Sequence, residues 1–210
     1  FDYPNDPGCD SLGDDTEANP ATPPVCTNTT NDDGDAFTDW PADFGCTSAA
    51  GANETFCVGE VDATSLYTTN PTTGTTVGLA SNWPNDTSCT VSGSSPTTGG
   101  PDKAYGLQVP VFLNSLTIDM AGSSFDTTVQ FRDANCAAQI ACNDDNSSLQ
   151  SKLELSNVAP GGYAIIVDGY GTPGASGTYT MTVKGIAAAG QRCDSPMFAG
   201  GAAAILSCPT

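Results

Sequence analysis

Between Phe1 and Asp102 the chain has no Lys and no Arg, and residues 1–60 carry 13 carboxylates. Such a segment repels itself unless a counter-ion is bound, which narrows what it can fold into. The acids are ordered. Through Asn31, Asp33, Asp35, Phe37 and Asp39, side-chain oxygens recur at alternate positions, with a backbone carbonyl expected at Phe37. Alternate oxygen donors let a short loop wrap a hard cation of about 6–8 ligands, so the spacing predicts a calcium loop. Asp43 follows four residues on, and Glu54, eight past Cys46, is placed to close the shell. An EF-hand would need Gly sixth and Glu twelfth; Ala36 and Ala42 stand there, and no helical periodicity flanks the loop. The alternative is a solvated acidic loop.

The motif is repeated. DYPNDPGC (Asp2–Cys9) lies over DWPADFGC (Asp39–Cys46) at an offset of 37 residues, and Glu17 then falls on Glu54. Asp2, Asp6 and Glu17 become candidate ligands of a first copy that lacks its opening half. Two explanations stand side by side: the chain is a processed or excerpted piece of a longer polypeptide, or a second chain completes the site.

The loop resembles the thrombospondin type 3 repeat and bacterial sequences of the form DNDGDGxxDxPxDPGC. Asn31, Asp33, Asp35, Asp39, Asp43 and Cys46 match the ligand and cysteine positions of that pattern, as do Asp2, Asp6 and Cys9 of the short copy; Ala36 departs from its Gly. The resemblance implies calcium as the bound ion.

From about Val58 the texture changes to apolar runs between Gly, Asn, Asp and Pro turns, which predicts a β-sandwich. Strands are expected at 104–109, 115–120, 127–132, 152–155, 163–167 and 178–183, with weaker ones in 60–67 and 139–142. The motifs GSSFDTTVQFRD (Gly122–Asp133), CAAQIACNDD (Cys136–Asp145), GGYAIIVDGYG (Gly161–Gly171) and SGTYTMTV (Ser176–Val183) resemble the bacterial pre-peptidase C-terminal domain. That family implies a jelly-roll-like sandwich on a secreted protein, non-catalytic in most members, some binding calcium or matrix polymers. The expected fold class is therefore all-β: a loop-rich, disulfide-stapled calcium-binding segment (1–57), a sandwich (58–185) and a tail (186–210). The tail is a final strand, an extended strap or the start of another module. Asp126, Asn143, Asp144, Asp145 and Asp168, at predicted strand ends, form a candidate second cation site; equally, each caps a turn.

Nine cysteines without a CxxC pair predict disulfides in an oxidising compartment, and the absence of His removes the usual zinc and haem ligand. The expected pairs are Cys26–Cys46 around the loop, Cys57–Cys89, Cys136–Cys142 and Cys193–Cys208. Cys9 is left over, which points to a thiol or a bond to another chain. Four Asn-x-Ser/Thr sites (Asn28, Asn53, Asn85, Asn146) and a Ser/Thr-rich stretch at 64–98 suit a glycosylated exterior.

Without His there is no Ser-His-Asp or Cys-His arrangement, and no glycine loop followed by Lys suggests phosphate binding. With 24 acids against 5 bases, nucleic acid and anionic membranes are poor partners, and no apolar run approaches the ~20 residues of a membrane span. The sequence thus predicts a non-catalytic, calcium-stabilised extracellular or cell-surface protein. It is read as a subunit or segment of a filament or layer that associates head to tail or with other surface proteins. The alternative is an accessory module of a secreted hydrolase, binding a polysaccharide or protein fibre. No predicted strand face carries an aromatic stripe, which weakens the polysaccharide version.

Overall fold

Among the described residues there are ten strands, most of them where the sequence alternates or runs apolar between turns: β1 (Val61–Asp62), β2 (Thr72–Thr75), β3 (Lys103–Val109), β4 (Leu113–Asp119), β5 (Thr127–Asp133), β6 (Gln139–Asn143), β7 (Lys152–Val158), β8 (Gly161–Gly169), β9 (Thr178–Ala187) and β10 (Leu206–Ser207). The computed structural model describes all residues except 1–2, 12–13, 15–17, 34–36, 44, 58–60, 63–68, 85–88, 90–98, 147, 172–173, 192–205 and 209–210. Among the described residues the only helical element is a 3-10 turn, Val25–Thr27, and no helix is long and apolar enough to cross a membrane. The fold is the expected all-β sandwich.

The strands form two five-stranded sheets, one of order β1-β3-β8-β5-β6 and one that runs β10-β9-β4-β7 with β2 also pairing β9. Successive strands pass from one sheet to the other except at β5–β6 and β9–β10, and all pairs except β1–β3 and β10–β9 are antiparallel. The sheets bury Leu107, Leu113, Leu116, Ile118, Phe131, Ile165, Met181 and Val183 between them. Tyr105 of β3 and Tyr179 of β9 meet edge-on and join their hydroxyls across this core, so neither polar tip is left bare.

The two sheets differ in how their outer faces are treated. In β9 burial alternates strictly, with Tyr179, Met181, Val183, Gly185 and Ala187 inward and Thr178, Lys184 and Ile186 exposed. In β3, β5 and β8 nearly every residue is buried. Their outward residues are Ala104, Gln108, Thr128, Gln130, Arg132, Ala164, Ile166 and Asp168, and a second apolar cluster of Phe56, Cys57, Trp83, Ala134 and Cys136 covers part of this face. Double burial explains why β8 reads as a continuous apolar run.

Polar residues on the covered face reach backbone of the chain lying over it. The Gln108 amide donates to the carbonyls of Asp43 (2.8 Å) and Cys46 (3.2 Å). Arg132 donates to Gln130 Oε1 (2.7 Å), the Cys136 carbonyl (3.0 Å) and the Pro84 carbonyl (2.8 Å). Asp102 accepts the backbone N–H of Asn82 (2.7 Å) and Trp83 (2.8 Å). Asp168 Oδ1 accepts the N–H of Gly100 and of Gly169, each at 2.6 Å. Gly99 lies so close, at φ +77°, that a Cβ there would stand 2.6 Å from Asp168 Oδ2.

The disulfides correct two expected pairings. Cys26–Cys46 forms as anticipated, but Cys57 bonds Cys136 and Cys89 bonds Cys142. Cys136 sits in the β5–β6 turn and Cys142 lies along β6; at about 3.3 Å per strand residue, the strand carries it beyond the ~7 Å that a disulfide spans. The observed bonds instead fasten the covering chain to the sheet, and the 79-residue separation of Cys57 and Cys136 corresponds to about 4 kcal/mol of loop-closure stabilisation. Cys208 is disulfide-bonded, and its expected partner Cys193 lies outside the described residues. Cys9 is buried, only 3% exposed.

In the tail, Leu206 and Ser207 pair in parallel with Gly185 and Ile186 of β9. Further along the same edge of β9, β2 pairs with residues 178–181. Between them the Asn70 side chain donates to the Val183 carbonyl (2.8 Å) and accepts its N–H (3.1 Å), standing in for a strand residue. β2 and this amide bridge had no counterpart among the expected strands.

Two expected outcomes follow. Gln108→Leu strips both carbonyls of their donor while keeping the bulk, and should lower unfolding free energy by about 1–3 kcal/mol in urea titrations. Burial, more than the nearby Asp102 charge, pushes the Asp168 carboxyl up to about 7 from 3.8, against the lowering effect of its backbone hydrogen bonds. Between those pH values the folded chain holds a proton that the unfolded chain has released, so stability falls as pH rises, by up to about 1.4 kcal/mol per pH unit from this group. Asp168→Asn should flatten that slope between pH 4 and 7; coincident slopes would refute the assignment.

Candidate metal centre

The acidic loop is built from a turn and a close backbone approach. Asp43 Oδ1 accepts the N–H of Gly45 (2.7 Å), and the Cys46 N–H donates to the Asp43 carbonyl (3.3 Å). A Cβ on Gly45 would fall 1.5 Å from the Glu54 carbonyl oxygen, so only glycine lets the turn lie against the 54–55 backbone. Cys26–Cys46 staples the far side of the loop. Glu54, 1% exposed, then receives the N–H of Asp32 on Oε2 (2.7 Å) and of Asp39 on Oε1 (2.8 Å).

The result is a group of three carboxylates, Asp33, Asp43 and Glu54, whose facing oxygens all lie within 4.8 Å of one another. Asp43 and Glu54 are buried and Asp33 is exposed. At an effective dielectric near 20, each pair of ionised carboxylates at that spacing repels by about 3 kcal/mol. The nearest basic residue in sequence is Lys103. An all-oxygen donor set that is buried on one side and open on the other suits a hard divalent cation and no soft metal.

The remaining loop positions divide. Asn31 is exposed. Phe37 turns its side chain onto the second apolar cluster, anchoring the loop to the covered face. Asp39, at φ +58°, is not in the carboxylate group: its Oδ2 accepts the Thr29 N–H (2.8 Å), while Oδ1 is buried without a hydrogen-bond partner. Asp35 lies outside the described residues, as do Asp2 and Glu17 of the short copy.

The short copy nevertheless repeats the turn. Asp6 Oδ1 accepts the Gly8 N–H (2.7 Å), and the Cys9 N–H donates to the Asp6 carbonyl (3.1 Å), matching Asp43, Gly45 and Cys46. The copies also touch: Ala49 N–H donates to the Pro4 carbonyl (2.7 Å) and Trp40 Nε1 to Asn5 Oδ1 (3.0 Å).

A second group gathers Asp126, just before β5, with Asp144 and Asp145, just after β6, again with oxygens within 4.8 Å. β5 and β6 are antiparallel neighbours, which brings those ends together. Burial first, then the charges of Asp145 and Asp126, push Asp144 up to about 6; burial and Asp145 push Asp126 up as well. Two expected members are elsewhere. Asn143 spends its Oδ1 on the Lys152 N–H (2.8 Å), and Asp168 holds the Gly99–Gly100 turn on the outer face. The expectation missed Gln108, Asp102 and Arg132; a sequence signal exists for Arg132, the alternation of Thr128, Gln130 and Arg132 with the apolar Val129 and Phe131.

No family model matches the sequence, and no curated protein matches it. Among solved structures, the chain is similar to the pre-peptidase C-terminal domain of a collagenase from Bacillus anthracis, at 14% identity and a TM-score of 0.36, over 62% of this chain and 96% of that one. It is also similar to PliG of Aeromonas hydrophila, a periplasmic inhibitor of g-type lysozyme, at 20% identity and a TM-score of 0.31, over 40% and 75% of the two chains. At these scores neither assigns a ligand or an activity to this chain.

Proposed function

We propose that this chain is a non-catalytic extracellular structural module whose N-terminal loop binds calcium through Asp33, Asp43 and Glu54. The supporting observation is the convergence of those three oxygens, two of them on buried residues, in a segment without Lys or Arg. The ion offsets their repulsion and holds residues 31–54 as one unit. Since Gln108 grips the carbonyls of Asp43 and Cys46, ordering the loop also secures it to the sandwich. Disulfides, including two that bind the covering chain to β5–β6, suit an oxidising compartment outside the cytoplasm.

A structural role agrees with the repeat, since a turn that recurs at 37-residue spacing and packs on its neighbour can extend in series. The reading is of a filament or surface-layer segment that associates head to tail. Burial of Cys9 favours non-covalent contacts over a disulfide to a neighbour. Of the two Trp residues, Trp83 belongs to the covering chain, is buried against the sheet and offers no platform for a sugar ring.

Calorimetry with calcium and with a chelator tests the ion. Calcium at a hundredfold excess over its dissociation constant should add about 2.7 kcal/mol, a rise on the order of 5–10 °C in melting temperature for a chain of this size. Glu54→Gln should lose most of the rise, and a profile indifferent to chelation would sink the calcium reading. Electron microscopy of native material tests the assembly: filaments are expected, whereas dispersed single particles would favour the accessory-module alternative.

A further inference from the structure

We propose that Asp126, Asp144 and Asp145 form a second, independent site for a hard divalent cation of the calcium class, at the end of the sandwich where β5 begins and β6 ends. The case rests on Asp144. Its side chain is 4% exposed, and its Oδ1 is buried without any hydrogen-bond partner; Asp126 Oδ1 is buried and unpartnered in the same way. A buried carboxylate that receives no N–H costs several kcal/mol unless something else neutralises it. Asp102 and Glu54 show the usual remedy in this chain, each receiving two backbone N–H groups. Asp144 receives none, and the charged groups acting on it, Asp145 and Asp126, are both anionic.

The surrounding loop is held without the help of these carboxylates. The Ser151 hydroxyl donates to the Asp144 carbonyl (2.7 Å), the Thr127 N–H to the Leu149 carbonyl (2.9 Å), and the Lys152 N–H to Asn143 Oδ1 (2.8 Å). The Lys152 ammonium is engaged by Glu154 at 2.5 Å. Three carboxylates therefore converge on a loop already built. Asp145 is exposed and gives the ion an entrance and room for water ligands, as calcium sites with few protein oxygens require. Bound there, the ion ties the β6–β7 crossover to the start of β5.

The test counts calcium bound to the full chain by equilibrium dialysis against calcium chloride, after stripping with chelator. Asp144→Asn should bind one ion fewer than wild type, and Asp145→Asn, at an exposed position where folding is not at stake, should lose the same ion. Glu54→Gln should keep that ion and lose the other, so the two sites fail separately. Without metal, Asp144→Asn should melt no lower than wild type because it removes an uncompensated charge. Wild-type count and affinity in both Asp144→Asn and Asp145→Asn would overturn the proposal.

Discussion

The sheet of β3, β8 and β5 has two faces to bury and a partner sheet for only one, and the rest of the structure depends on how the second face is covered. Small residues such as Ala104 and Ala164 let another layer approach, while Gln108, Gln130, Arg132 and Asp168 demand hydrogen-bond partners once water is excluded. The covering chain supplies them from its backbone: the carbonyls of Asp43, Cys46, Pro84 and Cys136, and the N–H of Gly100. Polar pairing therefore sets the register of the covering layer, and Cys57–Cys136 secures it covalently. Apolar contact alone would leave that register loose, because it is non-directional.

The same layer explains why so many acids are buried in a chain of formal charge −19. Each buried carboxylate must recover the hydration it loses, and the molecule shows three ways of doing so. Asp102 and Glu54 collect backbone N–H groups. Asp168 also collects two but lies so deep that its proton is retained to about pH 7. At Asp33, Asp43 and Glu54, and at Asp126, Asp144 and Asp145, acids face one another, the arrangement that cation binding would neutralise. The distinction lies in the neighbours, since the residue type is the same throughout.

Much of the sandwich was legible because strand periodicity is a local property. The strands from Lys103 to Ala187 stand where alternation or apolar runs place them, most of them longer by one to four residues, while β4 begins two residues before its expected start and ends one residue before its expected end. β2 was not legible: Thr72-Thr-Gly-Thr has weak apolar character, and it becomes a strand because the edge of β9 offers it a ladder. Cys26–Cys46 was legible because the repeat frames it. The pairs of Cys57 and Cys89 were not, since both reach across separations of 53 residues or more to β5–β6, and only the fold brings those ends together.

By itself the sequence determined the all-β class, the oxidising compartment and the oxygen-rich loop, because composition, cysteine use and side-chain spacing are written residue by residue. The tertiary structure decided which acids meet. It drew Glu54 to Asp33 and Asp43 through the close approach of Gly45, joined Asp126 to Asp144 across a strand pair, and sent Asp168 to the Gly99–Gly100 turn on the covered face. The physical reason is that a carboxylate's role depends on burial and on what stands within a few ångströms, and both are settled only when the second face of the sheet is covered.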